Sequence, residues 1–267
     1  MEIERGLIRT SAGYIHYRAA GKGKCIFLFH PSQQSSALFL ELMEVLGKER
    51  RAIAIDYPSF GGSDHIYFQP TISDYAKWVT EVMDGLRIQK ASFLGEAVGS
   101  ILFMEMANAY PERVEKIVLV NCPFFPDREA EKRDHTSLKG GLRPEDATGF
   151  PITRTLEFVL ERDPEHIPLH PTQAWMDRIN VAQIEAGRER WQALDALGEY
   201  NIPSNLGRLQ VPVLLIYGDH FLYFKFLDEV TRRIKNHQVR IVKDGRFCLP
   251  WEHPNEVGEA TLRFLAQ

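Results

Sequence analysis

The chain has 267 residues, 44% of them apolar, enough for one large domain with a substantial core and room for an insertion. Its formal net charge is −4 and no block of Lys or Arg interrupts that balance, so no nucleic-acid-binding surface is expected; the charged stretch 127–139 mixes both signs and reads as a solvated face. No run approaches the ~20 apolar residues that span a bilayer, and the opening residues lack the apolar core of a signal peptide, so a cytoplasmic protein without membrane association is expected.

Residues 6–19 alternate apolar and polar side chains around a Ser-Ala-Gly turn, the pattern of an antiparallel hairpin. From there a short apolar strand, a loop and a helix recur. Strands are predicted at 25–29, 52–55, 91–94 and 114–120, and helices at 36–46, 72–86 and 100–110. After a long gap come strands at 211–217 and 238–242 and a closing helix at 254–265. This alternation implies an α/β fold: a mostly parallel central sheet with helices on both faces. The gap cannot be a structureless loop in a compact domain. Helical periodicity at 153–161, 175–186 and 188–197 predicts a helical lid over 123–209, inserted into a core formed by 1–122 and 210–267. Phe150, Phe158, Trp175 and Trp191 are either packing residues of that lid or the lining of an apolar pocket. Cys25, Cys122 and Cys248 fit neither a zinc pattern nor a disulfide framework, and the first two are expected as buried, inert thiols. No metal ligand set and no dinucleotide fingerprint is visible, so no cofactor is expected.

Several short motifs carry more specific information. Residues 93–100 read Phe-Leu-Gly-Glu-Ala-Val-Gly-Ser, with glycines at 95 and 99 around Ala97. Residues 27–32 read Phe-Leu-Phe-His-Pro-Ser, residues 56–64 read Asp-Tyr-Pro-Ser-Phe-Gly-Gly-Ser-Asp, residues 214–219 read Leu-Leu-Ile-Tyr-Gly-Asp, and residues 251–254 read Trp-Glu-His-Pro. In this order and spacing they resemble the α/β-hydrolase superfamily over essentially the full chain. The resemblance makes 95–99 a nucleophile elbow, 27–32 the strand and loop that donate one side of an oxyanion hole (with Pro31 where the family has glycine), 214–219 the strand presenting the triad acid, and Glu252 to Pro254 the start of the last helix.

The same resemblance locates a triad that this sequence does not fill. Ala97 stands at the nucleophile position, and Phe221, three residues after Gly218, stands at the acid position. Arg246 follows the only nearby glycine, Gly245, at the histidine position, although the spacing to Glu252 is one residue longer than usual and Phe247 is the alternative. Arg stays protonated near neutral pH and cannot act as the base. A hydroxyl needs a positioned base, and the base an orienting partner, so the expectation is a degenerate triad without serine-hydrolase chemistry.

The backbone retains more. An alanine with φ > 0 at the elbow tip costs on the order of 1–2 kcal/mol. In that geometry the N–H groups of Ser32 and Val98 point into the cleft and bind a carbonyl, an enolate or a carboxylate. The candidate ligand-binding set is therefore Ser32, Ala97, Val98, Phe221 and Arg246, and His30, Glu96 and His220 are candidate substitute bases. Three readings follow. One is a protein that binds a small apolar carbonyl- or carboxylate-bearing molecule without turnover. The second is a cofactor-free non-hydrolytic enzyme of lyase, isomerase, cyclase or oxygenase type. The third is a scaffold or signalling partner that meets another protein through the lid.

Overall fold

Eight strands carry the molecule: β1 (Glu4–Thr10), β2 (Gly13–Ala20), β3 (Cys25–Phe29), β4 (Arg51–Ile55), β5 (Ala91–Glu96), β6 (Val114–Val120), β7 (Val213–Gly218) and β8 (His237–Val242). The computed structural model describes residues 2–125, 127, 129, 130, 133 and 142–267; most of the mixed-charge stretch 127–139 and part of the expected lid lie outside the described residues. The strands form one sheet in the order β1-β2-β4-β3-β5-β6-β7-β8. β1 and β2 form the expected hairpin, β2 is antiparallel to β4, and all later pairs are parallel.

Successive side chains of the central strands enter opposite cores, which explains why those strands read as continuous apolar runs. Phe27, Phe29, Ile53, Ile55, Phe93, Ile117 and Leu215 face the core under α2 (Ile72–Gly85) and α3 (Val98–Ala109). Ile26, Leu28, Ala52, Ala54, Leu94, Val118 and Ile216 face the core under α1 (Leu40–Leu46) and the closing helix Pro254–Ala266. Helix α2 starts where Thr71 and Asp74 satisfy each other's backbone N–H groups in a capping box. Segment 36–46, expected as one helix, begins with a 3₁₀ turn (Ser36–Phe39) whose Ala37 N–H donates to the Ser35 hydroxyl and whose Ser36 N–H donates to the Asp56 carboxylate.

Between β6 and β7 lie α4 (Leu156–Arg162), α5 (Gln173–Ala186), α6 (Gln192–Gly198) and α7 (Ile202–Leu206). This segment is laced to the core by polar contacts. Arg178 forks onto Glu41 (2.8 and 2.9 Å), Gln192 donates to the Ile66 and Phe68 carbonyls, and Glu252 accepts from the N–H groups of Leu169 and His170. β7 is followed by a 3₁₀ turn at Phe224–Phe226 running into α8 (Leu227–Thr231), and β8 by the short α9 (Leu249–Glu252) and the closing helix α10 (Pro254–Ala266). Among the described residues no helix is long and apolar enough to cross a membrane. All three cysteines are free; Cys122 and Cys248 are buried, but Cys25, at the start of β3, is only half-buried.

Candidate functional site

β5 ends at Glu96, and the chain turns at Ala97 directly into α3. Ala97 takes φ 50° and ψ −117°, a backbone that costs a residue bearing a Cβ on the order of 1–3 kcal/mol. The turn is held by the Ala97 N–H donating to the Val120 carbonyl (3.0 Å) and by the Ala97 carbonyl accepting from Ser100 N (3.0 Å) and Ser100 Oγ (2.6 Å). The flanking glycines are demanded by close approach: a Cβ at Gly95 would run into the backbone of Gly99, and a Cβ at Gly99 into the Phe29 carbonyl. The strand-to-helix turn that the motif predicts is therefore built, with a methyl group at its tip.

The tip opens on a cavity of about 80 Å³, several times the roughly 10–15 Å³ that one water needs. Ala97 and Val98 form one side with the loop Pro31 to Gln34. Phe125, Phe221, Tyr223 and Phe247 form an aromatic wall, in which Phe221 lies nearly parallel to Phe247 (centroids 6.4 Å, 15°) and edge-on to Tyr223 (5.4 Å). The segment between β6 and β7 adds Leu194, Leu197, Arg143 and His166. Phe150, Phe158, Trp175 and Trp191 do not line this cavity; Trp175, in the first turn of α5, is buried in the core.

The loops carrying residues 221 and 247 are brought together by hydrogen bonds from His220 N to the Gly245 carbonyl (2.9 Å) and from Asp219 N to the Val242 carbonyl (3.2 Å). Of the two residues that the spacing leaves for the histidine position, Phe247 enters the cavity. Arg246 leaves it: Nε donates to the Ile167 carbonyl (3.0 Å) and Nη2 to the Pro168 carbonyl (2.8 Å). Neighbouring side chains on this loop diverge, and Asp244 (φ 53°) and Cys248 (φ 59°), both left-handed, flank them. Arg246 thus sits apart from Ser32, Ala97, Val98 and Phe221, which do share the cavity.

The three candidate bases are all held elsewhere. His30 is fully buried beside Tyr57 (4.0 Å between centroids), with Nδ1 on the Pro31 carbonyl (2.7 Å) and Nε2 facing Tyr57 N (3.4 Å). Burial pulls its pKa down to about 4, so it is a neutral ring bracing the loop that leads to Ser32. Glu96 is also fully buried, its Oε1 accepting from Asn121 Nδ2 (3.0 Å) and Leu249 N (3.1 Å); burial pushes it up to about 8. His220 is exposed beside Asp219 and Asp244, and the potential ligand atoms of these three lie within 4.8 Å of one another at the surface. No metal-ligand spacing in the sequence announces that trio.

Several site residues give little sequence signal. Asn121, left-handed at φ 46°, donates to Glu96 and to the Arg246 carbonyl (2.7 Å) and accepts from Gly218 N (3.1 Å), tying three strand ends together. The only hint is a polar residue terminating an apolar strand. Gln34 Nε2 reaches the buried Cys248 Sγ (3.1 Å), a pairing across most of the chain length. Ser32 Oγ, Gln33 Oε1 and Gln34 Oε1 are buried without a hydrogen-bond partner among the described residues.

The chain matches the family model for the alpha/beta hydrolase fold over residues 25–254 and belongs to that family. It is similar to the carboxylesterase YbfK of Bacillus subtilis (strain 168), 24% identical over 281 residues that cover 99% of this chain and 88% of the relative. It is also similar to haloalkane dehalogenase 2 of Mycobacterium tuberculosis (strain ATCC 25618 / H37Rv), 24% identical over 270 residues, with 95% and 92% covered. Among solved structures, the enol-lactonase from Burkholderia xenovorans LB400 has a TM-score of 0.78 at 19% identity, covering 98% of this chain and all of that one; the likeness is one of fold.

Proposed function

We propose that this chain binds a small, largely apolar molecule bearing a carbonyl or carboxylate group in the cavity above Ala97, without serine-hydrolase chemistry. One observation carries the reading. Ala97 and Phe221, at the serine and acid positions of the family resemblance, share one cavity with Phe247, the alternative to Arg246 at the histidine position, as a methyl group and two rings. Acyl transfer needs an oxygen or sulfur nucleophile, a base to take its proton and a group to orient that base. A methyl and two phenyl rings supply none of these, but they supply an apolar floor. Ser32 Oγ, Gln33 Oε1 and Gln34 Oε1 favour an occupant with polar atoms, because a buried polar atom left unpaired costs about 1–3 kcal/mol. Val98, first in its helix, has an N–H with no acceptor inside that helix, and a helix start favours a partially negative oxygen.

The relatives named as a carboxylesterase and a dehalogenase favour hydrolysis in the family at large; in this chain hydrolysis would need a nucleophile other than residue 97. A second reading, a cofactor-free non-hydrolytic enzyme, is favoured by His166, which lines the same cavity with Nδ1 2.7 Å from Asp163 Oδ1, an oriented acid–base group. An open cavity of this size speaks for either reading over a pure scaffold.

The test combines turnover and binding. Wild-type protein is expected to hydrolyse p-nitrophenyl butanoate no faster than Ala97→Phe, which fills the cavity, and to resist labelling by a fluorophosphonate. Small ligands retained in native mass spectrometry should be lost from Ala97→Phe with its circular dichroism unchanged. Ester turnover that Ala97→Phe abolishes would overturn the proposal.

A further inference from the structure

The segment between β6 and β7 adds a charged wall to an otherwise apolar cavity. At its centre is Asp163, buried to 1% exposure. Its Oδ2 accepts from Arg154 Nη1 at 3.0 Å and lies 3.5 Å from Arg143 Nη2, and its Oδ1 faces His166 Nδ1 at 2.7 Å. Arg154 is as deeply buried as Asp163 and stands behind the wall, while Arg143 and His166 reach the cavity. Among the described residues two guanidinium groups share this one carboxylate, which leaves the pair of arginines with one positive charge in excess. Among the described residues no second acid pairs with either arginine, and Arg154 Nε and Nη2, both buried, find no acceptor. Burial, with Arg143 beside it, already pulls Arg154 down to about 9, the sign of a cation that its surroundings do not fully compensate. An excess buried cation next to an open apolar cavity is relieved when an anion enters that cavity.

We infer that this wall is a carboxylate subsite: the anionic group of the ligand docks on Arg143 beside His166, and its apolar body lies along Phe221 and Phe247. The inference rests on the ligand-binding reading above and narrows it. The ligand class becomes a small apolar carboxylic acid whose charged end lies at the β6–β7 segment. The N–H groups near the elbow are then left for a second, uncharged oxygen. Guanidinium suits this task because its planar fork matches the two oxygens of a carboxylate.

The experiment compares two probes of the same shape, 4-fluorophenylacetate and 4-fluorophenylacetamide, by fluorine NMR titration. The acid is expected to bind wild-type protein about tenfold more tightly, the gain of a charge-assisted over a neutral hydrogen bond. Arg143→Gln, which leaves Arg154 on Asp163, should bring the two affinities within about twofold by weakening only the acid. Arg143→Lys keeps the charge and should retain a clear preference, so a folding defect in the glutamine variant is told apart from loss of the subsite. Equal wild-type affinities, or a preference that survives Arg143→Gln, would overturn the subsite and leave the cavity reading standing. Binding of neither probe would overturn both.

Discussion

Glu96→Gln should stabilise the protein at neutral pH, by an amount that grows with pH. Glu96 immediately precedes the elbow tip, yet it points under the sheet, fully buried, with Oε1 bonded to Asn121 and Leu249 and Oε2 unpartnered. Burial pushes its carboxyl from an ordinary 4.5 up to about 8, against the opposing pull of the Leu249 and Asn121 hydrogen bonds. Below the ordinary value both the folded and the unfolded chain hold the proton, and the group is neutral in the balance. Above it the unfolded chain releases the proton while the folded chain keeps it until about pH 8. Stability therefore falls with rising pH across that window, by about 1.4 kcal/mol per unit. At pH 7 this one group costs roughly 3 kcal/mol, a large share of the 5–15 kcal/mol typical of a folded domain. Glutamine keeps the accepting oxygen and does not titrate, and any fixed difference between its amide and a carboxylic acid is independent of pH. Urea unfolding of both proteins from pH 5 to 8 reads the effect as a widening gap. Parallel curves would mean that Glu96 is ionised inside the fold, and the argument would fail. Probe binding should be the same in both proteins, because Glu96 does not line the cavity; loss of binding would return it to the list of candidate bases.

Ala97→Gly should raise stability by up to about 1.5 kcal/mol, the backbone strain relieved less the extra unfolded-state freedom of glycine, and a thermal melt that moves down would deny the strain. Ala97→Ser alone should gain less than about tenfold in p-nitrophenyl ester turnover, because it adds a nucleophile without a base. Ala97→Ser with Phe221→Asp and Phe247→His should gain at least about a hundredfold more, whereas the set with Arg246→His in place of Phe247→His should gain nothing, which steady-state kinetics would settle. Arg246→Met should weaken binding of 4-fluorophenylacetate several-fold while leaving the amide less affected, because Arg246 holds the backbone just after His166; unchanged binding of both in fluorine NMR would leave it a surface contact.

What the sequence made legible was local. The Gly95 and Gly99 spacing encodes a close approach of three backbone segments, and the alternation within 25–29 and 52–55 encodes two cores, so both could be read from a few neighbouring letters. What it hid depends on where the chain returns. Whether Arg246 or Phe247 enters the cavity depends on the path of a loop with two left-handed residues, Asp244 and Cys248, whose conformations no composition rule announces. Glu96 looked like a base because it neighbours the elbow tip, but β5 places it under the sheet. Its partner Asn121 comes from the end of the next strand, 25 residues on. The charged wall was invisible for the same reason: Arg143, Arg154, Asp163 and His166 have no shared periodicity, Arg154 and Asp163 lying at opposite ends of α4 and His166 in the 3₁₀ turn after it.

These polar ties also bear on how the cavity works. Arg246 on Ile167 and Pro168, Glu252 on Leu169 and His170, and Arg178 on Glu41 fasten the β6–β7 segment to the core on both sides of α5's start. On the proposed ligand-binding reading, a segment fastened in this way holds His166 at the cavity before any ligand arrives, so little ordering entropy would remain to be lost on binding. Arg246, the residue that the sequence offered as a clamp on the ligand, serves the same end indirectly. It turns away from the cavity and fixes the backbone that carries His166 into it.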